Sequence, residues 1–426
     1  MLRVFLPRTK ERVSMRSTIV IAVLFVCGLA TAADTWPEFR GPSGDGHAAG
    51  SKLATEWSET KNITWKTSIP GTGWSTPVVT NGKIWMTSAL DDGHRLVALC
   101  VDQKSGDVIK EVELFEVDKP ITKNKLNSWA SPSPVISGGD VFVSFGTNGV
   151  ASLNAETGQI EWKRDDVNLD HQEGAGSSMI VSGDRLIFHC DGRDVQYLIA
   201  LDTKSGDTIW RKDRSLDLSH VGDYARKAFS TPLIVKTSSG PHMISPAAQG
   251  CYCYDPADGR EIWSLSYKGF SAVPRPVAMG ELAYVVNTFA KPAIHAVRFQ
   301  GKGDITKTNV VWKYDRNGPS TPSPIIVNGL LMFVSDKGVA TCLDAKSGKE
   351  LWKERIGGNY CASPIAANGL VYFFNREGQA TVVRASSQYA AVATNKLEGG
   401  FMASPAVIGN SMFLRSRTHL YRVEAK

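Results

Sequence analysis

A ten-residue unit recurs along this chain and sets the spacing of most other features. Leu343–Trp352, LDAKSGKELW, is its clearest copy. LNAETGQIEW (Leu153–Trp162), LDTKSGDTIW (Leu201–Trp210) and YDPADGREIW (Tyr254–Trp263) repeat it, and VDQKSG (Val101–Gly106) is a shortened form. Each reads as strand, tight turn, strand. Asp102, Asn154, Asp202, Asp255 or Asp344 closes the first strand, where a short polar side chain bonds the turn backbone two residues on. Gly106, Gly158, Gly206, Gly259 or Gly348 follows at a fixed distance, as expected where a hairpin needs a positive φ. Trp162, Trp210, Trp263 and Trp352 come next in the second strand. A Trp at one strand position in successive repeats is expected between neighbouring sheets, each burying an aromatic surface worth roughly 2–3 kcal/mol.

A second signal precedes each turn: a small residue, Ser or Thr, and Pro, then two apolar strands separated by a Gly turn. It starts at Trp74, Trp129, Gly176, Phe229, Ser271, Ser320, Cys361 and Met402. These starts are roughly 40 to 55 residues apart, the period of four-stranded propeller blades. The last copy ends after Leu420–Val423 without a fourth strand, whereas Asn62–Lys66, NITWK, is a fourth strand without three before it. The expected fold is all-β: an eight-bladed β-propeller of four-stranded blades over 62–426, with the N-terminal strand completing the last blade so that no sheet edge is left open. Residues 34–61 are expected to pack on it as an extension. Three repeats depart from the pattern. Repeat one lacks its Trp, repeat five replaces the turn with Gln300–Trp312, and repeat seven has Arg384–Ser387 where Asp and Gly belong.

Residues 1–33 have the layout of a secretory signal peptide. Arg3, Arg8, Lys10, Arg12 and Arg16 precede an apolar run, Ile19–Ala30, too short to span a bilayer, and Ala30–Ala33 offers a small-residue cleavage site. A periplasmic or secreted protein is expected, with an uncleaved N-terminal anchor as the alternative. Without this leader the formal charge falls from +6 to +2. No basic run with interleaved aromatics remains to neutralise phosphates, so nucleic acid is not an expected partner. No second hydrophobic segment approaches membrane length.

Cys100, Cys253 and Cys342 share one slot, two residues before the turn Asp, where other copies have Ser152 and Ala200. The slot wants a small residue, so these thiols read as packing. Cys251 lies one dyad step from Cys253, which suits neither an unstrained disulfide nor a zinc site. A disulfide elsewhere is permitted in an oxidising compartment but not predicted, and no metal site is expected.

Three long segments lead into consecutive inner strands: Glu113–Ser128, Asp165–Ala175 and Arg211–Ala228. In a propeller such loops gather at one mouth of the channel. They bring Lys123, Lys125 and Asn127, then Asp170, His171 and Glu173, then His220, Asp223, Tyr224 and Arg226. Trp74, Trp129 and Phe229 start inner strands, with Arg275, Tyr360 and Met402 nearby in register. The candidate ligand-binding set is Trp74, Lys125, Asn127, Trp129, His171, His220, Arg226, Phe229, Arg275 and Tyr360. An aromatic and charged funnel suits a sugar, a peptide or another flat polar ligand, and its His, Asp, Glu and Arg leave acid–base chemistry open. Long solvated loops are the plain alternative. No G-x-S-x-G, H-E-x-x-H or phosphate-binding loop is present, and no catalytic residue is assigned.

The Asp-x-x-x-Gly turn ending in Trp, as in LDTKSGDTIW, resembles the tryptophan-docking repeat of the pyrroloquinoline quinone-like (quinoprotein alcohol dehydrogenase-like) eight-bladed propellers. Trp36–Pro42, with Gly44-Asp45-Gly46 after it, is similar to the opening of secreted members of that superfamily common in planctomycete-type bacteria. The resemblance covers nearly all of the chain after the leader. It implies a fold shared by quinone-dependent alcohol and sugar dehydrogenases and by non-enzymatic propellers such as the outer-membrane assembly lipoprotein, so membership does not decide function. The alcohol dehydrogenases carry adjacent cysteines over the quinone, where this chain has Cys251-Tyr252-Cys253. No position here maps onto their calcium ligands or catalytic Asp, although Arg275 and Asn127 are plausible partners for an anionic cofactor. The expectation is a non-catalytic binding or scaffold module without a cofactor, taking a protein, a glycan or a small polar ligand at the channel mouth. The alternative is an alcohol or sugar dehydrogenase using pyrroloquinoline quinone (PQQ) and calcium.

Overall fold

Each sequence repeat becomes one antiparallel sheet. In the first, Val78–Thr80, Lys83–Leu90, Arg95–Asp102 and Val108–Glu116 pair in chain order. The two middle strands are buried on both faces because a sheet covers each side, while the outer strand alternates half-buried with exposed residues. Seven more sheets follow, giving an eight-bladed propeller with further inner strands beginning at Val135, Ile180, Leu233, Val277, Ile325, Ile365 and Ala406. The computed structural model describes residues 1–4, 34–289 and 291–425. Apart from its first four residues, the leader assigned to 1–33 lies outside the described residues. Among the described residues no helix is long and apolar enough to cross a membrane.

The last blade takes Ala406–Ile408, Ser411–Arg415 and His419–Val423 from the C-terminal end, and Ile63–Ser68 as its outer strand. Trp65 pairs with Arg422 and Thr67 with Leu420. Both ends of the repeat array therefore share one ladder of hydrogen bonds, which leaves no unpaired edge between first and last repeats.

The Trp residues connect blades by one recurring bond. The indole N–H of Trp65 donates to the Gln103 carbonyl (3.2 Å), Trp162 to Thr203 (3.0 Å), Trp210 to Pro256 (3.3 Å) and Trp312 to Ala345 (3.1 Å). The acceptor is each time the carbonyl just after the Asp of the next blade's turn. The ring also lies on the turn glycine. A β-carbon at Gly206 would sit 2.7 Å from Trp162, and Gly206 has φ +77°, so both space and backbone demand glycine. The small slot before the turn Asp faces the Trp across the strand pair: Cys253 opposite Trp263, Cys342 opposite Trp352, Ala200 opposite Trp210. All six described cysteines are free thiols.

The irregular repeats keep this contact by other means. In blade one Trp85, on the second strand, reaches the Ala155 carbonyl (3.1 Å), replacing the missing Trp of the fourth strand. Trp352 docks on the degenerate turn of repeat seven through the Ser386 carbonyl (2.9 Å). The unusual segment of repeat five places Gly303–Asp304 as a fifth, parallel strand on the edge of blade four.

The chain ahead of Ile63 crosses the channel. Trp36 exchanges backbone bonds with Val79 of blade one, and the Pro37 carbonyl accepts from Ile136 of blade two. Two residues later the Phe39 carbonyl and the Glu38 carboxylate receive the Arg275 guanidinium of blade five (2.6 and 3.0 Å). Gly46 and Ala48 then bond Ala366 of blade seven, and Trp57 stacks on Tyr372 at 6.3 Å. A path from blades one and two to blade five spans the ring, so this segment stoppers the channel.

Candidate functional site

The Ser/Thr-Pro steps of the sequence form a hydrogen-bonded collar where the inner strands begin. The Thr76 N–H donates to the Ser133 hydroxyl, Ser133 N–H to Ser178 and Ser178 N–H to Thr231. On the far side Arg275 N–H donates to Ser323, Ser323 N–H to Ser363 and Ser363 N–H to Ser404, at 2.9–3.0 Å. Each hydroxyl satisfies a backbone donor of the adjacent blade that would otherwise be stranded in the channel wall. The following Pro, where present, presents no donor of its own. Blade five has Arg275 in the hydroxyl's place, and its guanidinium is spent on Pro232, Phe39 and Glu38.

Above the collar lies a cavity of about 520 Å³. All eight blades contribute to its wall, from Trp74 and Thr76 of blade one round to Met402 and Ser404 of blade eight, and Phe39 also lines it. Since Phe39 belongs to the segment that crosses the channel, the cavity is open at one mouth and closed at the other. Two charged side chains line it. The almost fully buried Lys227 ammonium donates to Gln172 Oε1 (2.5 Å) and meets Glu173 Oε1 (3.3 Å). Glu173 Oε2 accepts from Asn124 Nδ2 (2.9 Å). The pair is neutral as a unit.

Its rim is aromatic. Tyr224 and Phe289 are 60% and 49% exposed, and among the described residues no other Phe, Tyr or Trp is exposed rather than buried or half-buried. Phe270 lies between them, edge-on to Tyr224 at 5.4 Å and stacked on Phe289 at 5.4 Å. Backbone strain gathers here too. Gln172, Ser271 and Phe289 line the cavity with φ of +58°, +52° and +52°, a conformation unusual for any residue other than Gly, Asn or Asp. Arg226 holds the loop carrying Tyr224 by donating to the Leu218 and Val221 carbonyls (3.1 Å each).

Of the ten-residue candidate set, Trp74, Asn127 and Phe229 line the cavity, and so do Glu173, Tyr224 and Met402, which the same loops and strand starts brought forward. Asn127 is fully engaged, donating to the Glu173 and Ala175 carbonyls and accepting from Ser128 and Ser131, so it ties the first long loop to the second. Trp129 packs over Gly93 and donates to Ile121, under Lys123 at 4.4 Å. His171 is buried, accepts the Thr147 N–H at Nε2 (3.1 Å), and is held neutral by burial, with its pKa lowered to about 4. Tyr360 is a buried bridge between blades. Lys125 and His220 are exposed, off the cavity wall. Lys227, Gln172, Phe270 and Phe289 were missed. Loop length pointed to blades two to four, whereas Phe270 and Phe289 come from the short connections of blade five.

The side chains present do not fit a quinone held with a divalent cation. Such a cation takes six or more oxygen ligands, and the cavity offers one carboxylate, already shared by Lys227 and Asn124. Among the described residues no group of three or more His, Cys, Asp or Glu could hold a metal. Cys251 and Cys253 are buried in the third strand of blade four, facing Leu265 and Trp263, away from the cavity.

The sequence profile of the family described as outer membrane protein assembly factor BamB matches residues 112–236 and 196–426. No curated protein matches the chain. Among solved structures, BamB from Moraxella catarrhalis superposes with a TM-score of 0.60 at 12% identity, over 85% of this chain and 98% of that one. A europium-containing methanol dehydrogenase superposes with 0.65 at 11%, over 91% and 90%. Quinohemoprotein alcohol dehydrogenase from Comamonas testosteroni gives 0.63 at 12%, over 94% and 82%. At these identities the likeness shows the fold alone.

Proposed function

The chain belongs to the family of the outer membrane protein assembly factor BamB, and from that premise we propose that it is an exported, non-catalytic binding module whose ligand enters the channel mouth. One observation carries this reading: the two exposed Phe, Tyr or Trp rings of the described residues both stand on the wall of a single closed-ended cavity. Exposed aromatic surface without a partner is costly to retain, and concave sites with aromatic walls and a few placed polar groups are where ligands bind. The left-handed backbone at Gln172, Ser271 and Phe289 agrees with it, since strain of this kind collects at binding sites. Lys227 and Glu173 are paired with each other, and His171, off the cavity wall, is buried and neutral, which argues against these groups serving general acid–base chemistry.

The test is hydrogen exchange on the protein without its leader, with and without a soluble extract of the host's cell envelope. Protection is expected in the segments around Asn124, Gln172, Tyr224 and Phe270. Protection confined to the outer strands of the blades, or none at all, would contradict the reading.

A further inference from the structure

Resting on the mouth as the binding surface, we propose that the ligand is the neutral end of a glycan chain. Four features of the cavity select that chemistry. First, its charged groups cancel. An anion approaching Lys227 would also approach Glu173, 3.3 Å from the same ammonium, so neither an acidic nor a basic ligand gains a net partner. Second, the planar side chains of Asn124, Gln172 and Glu173 are held in place by one another and by Lys227, and the second lone pairs of their oxygens, with the Gln172 amide N–H, give fixed acceptors and donors for sugar hydroxyls.

Third, Tyr224, Phe270 and Phe289 form a shelf whose outer rings are open to solvent. The apolar C–H face of a pyranose carries weak positive charge and sits well on a negative π-face. Trp74, from blade one, adds a further aromatic ring to the cavity wall. Fourth, the cavity is closed by Phe39. A polymer cannot thread the channel, so a chain end enters, and about 520 Å³ lies within the roughly 300–1,000 Å³ typical of small-ligand pockets.

An extended peptide fits less well. Peptides that bind propeller-like sheets by strand addition need an unpaired edge. Here backbone donors at the entry to the inner strands are already taken by hydroxyls of the next blade.

The experiment is calorimetric titration of the protein without its leader against four neutral tetrasaccharides, those of cellulose, starch, xylan and chitin, and against tetragalacturonate as the charged control. At least one neutral tetrasaccharide is expected to bind at one site. Tyr224→Ala and Phe289→Ala should each weaken it about tenfold or more, equivalent to roughly 1.4 kcal/mol, while Tyr224→Phe and Phe289→Tyr retain it. Both residues are largely exposed, so these variants should melt with the parent protein. Preference for tetragalacturonate, no neutral binding, or binding indifferent to the aromatic variants would overturn the proposal. If sugars fail but hydrogen exchange still shows protection at the mouth, the glycan is wrong and the binding surface stands. If both fail, the surface itself is wrong.

Discussion

At the scale of single residues, burial decides what a chemically suggestive side chain can do. Ser245, His189 and Asp191 are arranged like a nucleophile, base and orienting acid, with Ser245 Oγ 2.8 Å from His189 Nε2 and His189 Nδ1 3.9 Å from Asp191. All three are buried between blades three and four, and Arg214 occupies the Asp191 carboxylate at 2.7 Å. This is a sealed polar cluster, closed to substrate, in which Arg214 neutralises Asp191 and His189 Nδ1 makes no hydrogen bond. Burial also fixes a pH response. His171 and His295 both have pKa values lowered to about 4, first by burial; Asp170 and Asp194 oppose the shift at His171, while Lys313 adds to it at His295. Unfolded histidine takes up a proton near pH 6.5, so between about 6.5 and 4 the unfolded chain binds more protons and stability falls as pH falls. Each contributes on the order of 2–3 kcal/mol across that window. Melting temperature should drop from pH 7 to pH 4, and the drop should be shallower in a His171→Gln, His295→Gln double variant. Equal slopes in the two proteins would contradict this.

At the scale of elements, the repeat's own physics made the architecture legible. The Asp, Gly and Trp of LDTKSGDTIW are a turn acceptor, a positive φ and an indole that lies on the next blade's turn. Each needs one residue type at one spacing, so eight blades and their closure by Ile63–Ser68 could be counted from the chain. The compensations were not legible. Trp85 reads as an ordinary strand residue until the structure shows it reaching the Ala155 carbonyl in place of the Trp that Lys110 replaces. Gly303–Asp304 reads as loop until it pairs with Trp263 and Ser264. The candidate site was legible only in part for a related reason. Long loops announced themselves, though not which of their side chains, Gln172 and Lys227 among them, would turn inward, while Phe270 and Phe289 depend on where short connections end in space. Trp85→Phe keeps an aromatic side chain but removes the N–H and part of the bicycle at a fully buried site, leaving a carbonyl unpaired and a small cavity. A loss of about 1–3 kcal/mol is expected in chemical denaturation. A change below about 0.5 kcal/mol, the level of ordinary surface substitutions, would mean that the indole bond does not join blades one and two.

At the scale of the whole molecule, the ring is closed twice, once by the shared last blade and once by the segment from Trp36 to Gly46 that stoppers the channel. Arg275 links these levels. It replaces a hydroxyl in the collar and, nearly fully buried, anchors Glu38 at 3.0 Å. What remains open is one mouth, with an aromatic rim, a self-neutralised ion pair and a floor formed by Phe39. A fold shared with a methanol dehydrogenase and a quinohemoprotein alcohol dehydrogenase is thus proposed to serve as a binding funnel without a redox group. The most direct test is titration of residues 34–426 with PQQ and Ca²⁺, following melting temperature, visible absorbance and dye-linked oxidation of alcohols and sugars. The account predicts no saturable shift and no oxidation. A saturable rise in melting temperature with a bound quinone spectrum and substrate-dependent dye reduction would contradict it.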